Sequence, residues 1–216
     1  MSNGSVKLAP LVISMSLISC IAATLMAWAY IVTKAPIAAA QQKKTNEALG
    51  QVLPEFDNQP AEESVQSGNV TFYKARKNGL LVGFVGETIS YTGYSGPITV
   101  LAGLNLDGTI TTVLVTKQTE TPGLGTVVCG RVREKTLSKL LSGKKETGLP
   151  PNRILDQFSG MSVKAGDAPW TVKKDGGTLD AISGATITSR AVGDAVFMIA
   201  EAFTQQRDTL VQEIKP

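Results

Sequence analysis

The sequence predicts an α+β protein: one N-terminal transmembrane helix followed by a single domain of antiparallel sheet with helices. Three observations predict it. An uncharged apolar run, Leu8 to Val32, stands ahead of a longer stretch of ordinary polarity. Two strand–turn–strand signatures follow, centred on Asn78-Gly79 and Asp107-Gly108. Single helical stretches come after these hairpins instead of alternating with strands, which argues for twisted antiparallel sheet and against repeated strand–helix–strand units.

Leu8 to Val32 are dominated by Leu, Ile, Val, Ala and Met, with Trp28 and Tyr30 near the far end. About 25 such residues, rising roughly 1.5 Å each as a helix, cross a hydrocarbon core about 30 Å thick with room for tilt. The aromatic pair suits an interfacial belt. The span is therefore set at residues 8–33, behind a short N-terminus of residues 1–7. Two processing signals compete with a retained anchor. Ala38-Ala39-Ala40 resembles a signal-peptidase site, but the apolar run is longer than a signal h-region and Lys34 closes it first. Leu17-Ile18-Ser19-Cys20 resembles a bacterial lipobox, but apolar residues continue well past Cys20.

Residues 34–66 read as a stalk and linker, Ala- and Gln-rich, with a short helical pattern through Ala48, Leu49 and Val52 closed by Pro54. The domain proper is placed at 67–210, with 211–216 as a C-terminal tail. Its first hairpin joins Val70–Ala75 to Leu80–Val85 through Asn78-Gly79, a dipeptide suited to the two positive φ angles of a type I′ turn. The second joins Pro97–Leu106 to Thr109–Val115 through Asp107-Gly108, with Ile98, Val100, Ala102, Leu104 and Leu106 alternating onto one face. Arg131 to Leu141 has helical spacing, with Val132, Leu137, Leu140 and Leu141 inward and Gly143 as the stop. Trp170–Lys174 and Thr178–Ile182 are expected to form a third hairpin around Asp175-Gly176-Gly177. The last element is a helix from about Thr188 to Phe203, whose Val192, Ala195, Val196, Ile199, Ala200 and Phe203 repeat on one face.

Composition narrows the chemistry. Residues 1–34 hold two of the 21 basic residues and none of the 18 acids, so the remainder carries a net charge of only +1. No basic run interleaves with aromatics, and no nucleic-acid surface is expected. With no histidine and two cysteines, Cys20 and Cys129, the chain has no set of ligands for an iron–sulfur cluster, a haem or an ordinary zinc site, and no metal site is expected. There is no Gly-rich dinucleotide fingerprint after a strand and no P-loop. Any redox chemistry here needs an organic cofactor.

Three segments carry candidate chemistry. Ser183-Gly184-Ala185-Thr186 lies just ahead of the last helix, in Asp180-Ala181-Ile182-Ser183-Gly184-Ala185-Thr186-Ile187-Thr188-Ser189. Hydroxyl and acidic residues at that position are what any helix N-terminus uses, because a side-chain oxygen accepts from an unpaired first-turn N–H. The same N–H groups and the positive end of the helix dipole also stabilise a phosphate, and Gly184 and Ala185 let a ligand approach closely. Arg190, one turn on, is either a partner for that phosphate or a solvated surface arginine. Glu120-Thr121-Pro122-Gly123-Leu124-Gly125 gives a fixed irregular backbone with an acid ahead of it, suited either to turning the chain or to lying against a flat heteroaromatic ring. Tyr91-Thr92-Gly93-Tyr94-Ser95-Gly96-Pro97-Ile98 sets an aromatic in a Gly-rich segment, where Tyr94 can stack on such a ring.

Taken in order behind one transmembrane helix, these segments closely resemble the G subunit of the Rnf complex, an ion-translocating ferredoxin:NAD oxidoreductase. They are also similar to the C subunit of the sodium-translocating NADH:quinone reductase, which shares an FMN-binding domain. The resemblance covers essentially the whole chain. It implies FMN joined as a phosphoester to Thr186, with Ser183, Gly184 and Ala185 as the recognition turn. It implies that Glu120, Thr121, Gly123, Leu124 and Gly125, with Tyr94, lie beside the flavin, Trp170 being a further aromatic candidate. It implies no residue catalytic in isolation, attachment by a separate flavin transferase acting on FAD, and electron relay among other subunits of a membrane complex. It also implies a cytoplasmic N-terminus and an extracytoplasmic domain on the inner (cytoplasmic) membrane, whereas Lys34, Lys43 and Lys44 against Lys7 nominally point the other way. Gln118 stands where a histidine is expected in the family pattern. The rival readings are a membrane-tethered assembly module without redox chemistry and a self-contained flavin reductase, for which the chain lacks a substrate domain.

Overall fold

The computed structural model describes residues 8–52, 56–131 and 149–212. The chain divides into two compact units between Lys44 and Thr45. Helix α1 runs Leu8–Val52. Within it Ala9–Ile37 has a mean hydropathy of 2.0 and is long and apolar enough to cross a membrane. Large side chains such as Leu11, Met26, Trp28 and Ile31 are exposed along it. Three hydroxyls of this stretch are satisfied inside the helix: those of Ser14, Thr24 and Thr33 donate to the carbonyls of Pro10, Cys20 and Ala29. A segment that faces hydrocarbon needs that arrangement, since no water is there to pair with them. The sequence reading ended the span near Lys34, yet the helix continues through Lys34 and Pro36. A charge ends a hydrophobic span without ending a helix, and Lys34 itself sets its ammonium 5.8 Å from the Tyr30 ring centre.

The second unit is built on one sheet of five strands in sequential order: β1 Ser64–Ser67, β2 Val70–Lys77, β3 Leu80–Ser90, β4 Ile98–Leu104 and β5 Ile110–Lys117, each antiparallel to the next. The β2–β3 turn is the expected one, with Asn78 at φ 54° and Gly79 at φ 77°. The β4–β5 connection differs from the sequence reading. The Gly108 N–H donates to the Asn105 carbonyl and the Asp107 carboxylate accepts from the Thr109 N–H, so the strand stops at Leu104 and Leu106 falls in the turn, exposed. Among the described residues, two short α-helices follow, α2 Gly125–Cys129 and α3 Arg153–Asp156, and then the long α4 Thr186–Gln212. The helix expected from Arg131 onward lies outside the described residues, as does most of the expected tail.

Helix α4 covers one face of the sheet. Val192, Ala195, Val196, Ile199, Ala200 and Phe203 are all buried, as their spacing requires. The Phe203 ring centre lies 5.2 Å from that of Phe84, tilted to it, and 6.0 Å from that of Phe72, edge-on. Gly86 permits this approach, because a Cβ there would overlap Ile199 Cγ2. Gly86→Ala is therefore expected to destabilise the domain by about 1–3 kcal/mol through overpacking, read as a lower urea midpoint with an unchanged slope. An unchanged midpoint would mean that α4 stands further off the sheet.

The opposite face is covered by the last turns of α1. Ala48, Leu49 and Val52, which the sequence places in a linker, form a second buried cluster with Ala75, Val85 and Leu101. Strand β4 is thus buried at every position, and Gly103 leaves room for the Val52 carbonyl, 2.6 Å from where a Cβ would stand. The third expected hairpin is a different object. Lys173–Asp175 form a 3-10 turn, Gly176 takes φ 86°, and Val172 meets Leu179 in a single parallel bridge. The chain circles back onto itself because Gly177 lacks a side chain: a Cβ would overlap the Thr171 carbonyl oxygen.

Candidate cofactor site

Three segments that are far apart in sequence converge on one cavity of about 520 Å³. It is lined by Tyr94 from the β3–β4 connection, by Glu120, Thr121, Leu124 and Gly125 after β5, and by Gly184 to Thr188 at the start of α4. Lys174 and Arg190 complete the lining. Of the residues singled out from sequence, Ser183 and Gly123 adjoin the cavity in the chain but do not line it. Trp170 is elsewhere, packed between Phe158 and Phe197 at 6.1 and 5.4 Å.

Glu120 joins the three segments. Its carboxylate is 4 % exposed; one oxygen accepts from the Ser95 N–H at 3.0 Å and the other from the Thr188 hydroxyl at 2.6 Å. Each oxygen thereby holds a donor from a different segment, so Glu120 is first a brace between the Gly-rich segment and the head of α4. Two glycines make room for it, since a Cβ on Gly93 or Gly125 would lie 2.9 or 2.5 Å from its oxygens. Gln118 serves the same bend, its side-chain oxygen accepting from the Glu120 N–H at 2.6 Å. The loop is closed on its far side by Asn152, which caps α3 and donates to the carbonyls of Val127, Val128 and Gly130 at the end of α2. Leu124 lies over Gly184, whose φ of 84° suits a residue without a side chain. Burial, with the Glu120 charge adding, pushes the nearby Cys129 thiol up to about 12, so it remains a protonated, inert thiol at neutral pH.

The hydroxyls at the helix start are not equivalent. Thr188 is 1 % exposed and held by Glu120; Ser189 is 3 % exposed and donates to the Ala185 carbonyl. Ser183 is exposed but outside the cavity lining, whereas Thr186 is half-buried and lines it. The first turn of α4 has N–H groups without intrahelical acceptors, and two cations stand beside it. Arg190 is held by Asp175 in a two-pronged ion pair of 2.6 and 2.7 Å, which keeps the Asp175 carboxyl below its ordinary range. Lys174, exposed in the neighbouring turn, had no signal in the sequence, because the parallel bridge alone brings it to the cavity. One end of the cavity lining is therefore suited to an anion, and Leu124, Ile187 and Tyr94 supply apolar and aromatic surface.

Residues 93–200, which hold all of these lining residues, match the family described as FMN-binding domain. A protein of Cereibacter sphaeroides, named as the G subunit of an ion-translocating oxidoreductase complex, is 34 % identical, over 97 % of this chain and 91 % of its own length. The protein of that name from Methanosarcina acetivorans is 32 % identical over 94 % of this chain and 98 % of its own. One from Aliivibrio fischeri is 34 % identical over 84 % and 83 %. This chain belongs to that family of G subunits. Its FMN-binding domain thus comprises strands β4 and β5, the Glu120 brace, and most of α4, with β1 to β3 and the end of α1 completing the fold around it.

Proposed function

We propose that this chain is the membrane-anchored flavoprotein subunit of an ion-translocating oxidoreductase complex, holding FMN in the cavity as a phosphoester of Thr186. The observation that carries the reading is the inequality of the hydroxyls: of the two that line the cavity at the head of α4, Thr188 is buried and bonded to Glu120, whereas Thr186 is half-buried, with two cations nearby. The residues fit the group. The volume lies within the range of about 300–1,000 Å³ usual for ligand sites, the helix start and Lys174 and Arg190 suit a phosphodiester, and Leu124, Ile187 and Tyr94 suit a flat ring. Bound FMN supplies reversible electron transfer, while the chain sets its position, access and electrostatic surroundings.

Thr186 has no histidine to activate it, and the one carboxylate in the cavity lining, Glu120, is bonded to Thr188 and Ser95. A threonine hydroxyl is a poor nucleophile without a base. The ester is therefore made by a separate flavin transferase: the threonine oxygen takes the FMN phosphoryl group from FAD, the bond to AMP breaks, and the transferase accepts the proton. The test is direct. Protein coexpressed with such a transferase gives a fluorescent band after denaturation, and mass spectrometry finds an FMN-sized addition on the peptide containing Thr186. Addition on Thr188 or Ser189 overturns the assignment.

The reading further places the domain on the extracytoplasmic side, relaying electrons between partner subunits and not catalytic alone. A reporter active only outside the cytoplasm, fused after Pro216, is expected to be active, and one active only inside to be silent. The reverse pattern rejects this topology and follows the lysines at 34, 43 and 44 instead.

A further inference from the structure

Away from the cavity at the head of α4, a groove of about 400 Å³ lies on the sheet face on which Ala48, Leu49 and Val52 pack. The last turns of α1 pack on Ala75, Val85 and Leu101 of that face. Glu87, opposite Leu101 and Thr71 in the ladder, continues the same face beyond them, as does Ile89. The groove is lined by Gln66, Asn69, Thr71, Glu87, Ile89 and Tyr91, among others. Two features make it unusual for an idle surface. Tyr91 is 79 % exposed and Ile89 43 % exposed, and both line it. Glu87 is half-buried and, among the described residues, is in no ion pair.

Among the described residues, the Tyr73 hydroxyl is the donor that reaches Glu87, at 2.5 Å. Burial, with the bond to Glu87 adding, pushes the Tyr73 phenol well above its ordinary value, so it stays a neutral donor. An ionised carboxylate accepts about four hydrogen bonds. Glu87 therefore retains capacity for further donors, and a half-buried carboxylate with no cation paired to it among the described residues favours acquiring one. The other polar lining groups are amides and hydroxyls, which also offer acceptor oxygens, and the flanking ring of Tyr91 offers a π face. A planar cation with several donors matches that set better than a compact ammonium, because a guanidinium pairs with a carboxylate in fork geometry while lying flat on an aromatic ring.

We propose that this groove receives an arginine side chain of a neighbouring subunit, paired with Glu87 and lying against Tyr91. The proposal rests on membership of a multi-subunit complex but not on the flavin. An aromatic ring covered on assembly beside a charge-paired arginine is the composition of an interface hot spot.

The experiment uses the full-length chain in its membrane complex. A photo-reactive amino acid in place of Ile89 is expected to cross-link to one other subunit, on a peptide containing arginine. Glu87→Gln together with Tyr91→Ala is expected to lower copurification of the other subunits at least about tenfold. Glu87→Gln keeps an acceptor for Tyr73, and Tyr91 is exposed, so the thermal midpoint is expected to stay at the parent value and show that the domain is folded. Cross-links to lipid alone, to a peptide without arginine, or unchanged copurification would overturn the proposal. A parent chain that lacks FMN on Thr186 yet still gives the arginine cross-link rejects the flavin assignment and supports this one.

Discussion

Thr186→Ala is expected to abolish covalent flavin while leaving the domain folded. Thr186 is the first residue of α4 and points no side chain into either core cluster. Alanine is the best helix former, so the change in stability should stay within about 0.5 kcal/mol. Loss of the ester, by contrast, is complete, because the neighbouring hydroxyls are committed: Thr188 to Glu120 and Ser189 to the Ala185 carbonyl. Thr186→Ser keeps the nucleophilic oxygen and should retain a fluorescent denatured band. A Thr186→Ala protein that still carries FMN after denaturation would show that one of the buried hydroxyls is released during attachment, and the site assignment would fail.

Glu120→Ala is expected to cost about 2–5 kcal/mol of stability, the largest effect of any single change around the cavity. It leaves the buried Thr188 hydroxyl without its acceptor, at roughly 1–3 kcal/mol, and removes the part-buried bond from the Ser95 N–H, at roughly 1–2 kcal/mol more. Glu120→Gln is the informative companion. Its amide oxygen replaces one acceptor and its NH₂ donates to Thr188, whose hydroxyl accepts as well as donates. The fold should therefore survive nearly intact, with FMN retained on Thr186 but at a higher midpoint potential. Removing a fixed negative charge beside the cavity favours the more negative, reduced cofactor, and the low local dielectric strengthens that influence. Denaturant unfolding separates Ala from Gln, and redox titration separates Gln from the parent. If all three proteins unfold together and titrate together, Glu120 is neither brace nor electrostatic neighbour, and ring electronics must be set by other lining residues such as Tyr94.

These expectations combine what local sequence decides with what it does not. Asn78-Gly79 specified its turn because only residues tolerant of positive φ fit a type I′ hairpin, and the structure has both at positive φ. The α4 pattern was legible because burial against a flat sheet selects one face at a period near 3.6 residues. The uncharged run from Leu8 announced a membrane span by length and composition alone. The order of the Gly-rich, Glu-Thr-Pro and Ser-Gly-Ala-Thr segments was enough to indicate the family to which the chain belongs.

Other features depended on approaches between distant segments. Nothing local says that Ala48, Leu49 and Val52 leave the linker to cover the back of the sheet, since a short apolar pattern suits a stalk helix and a core helix equally. Asp175-Gly176-Gly177 suits an antiparallel turn as well as the loop it forms; close contact between Gly177 and Thr171 selects the parallel bridge, and with it the arrival of Lys174 at the cavity. The sequence singled out Glu120, which lines the cavity, but not its part as a brace, because its partners are 25 and 68 residues away. Backbone preference and hydrophobic period act over a few residues, whereas the pairing of a buried carboxylate is decided only when the sheet, the loop and the helix have packed together.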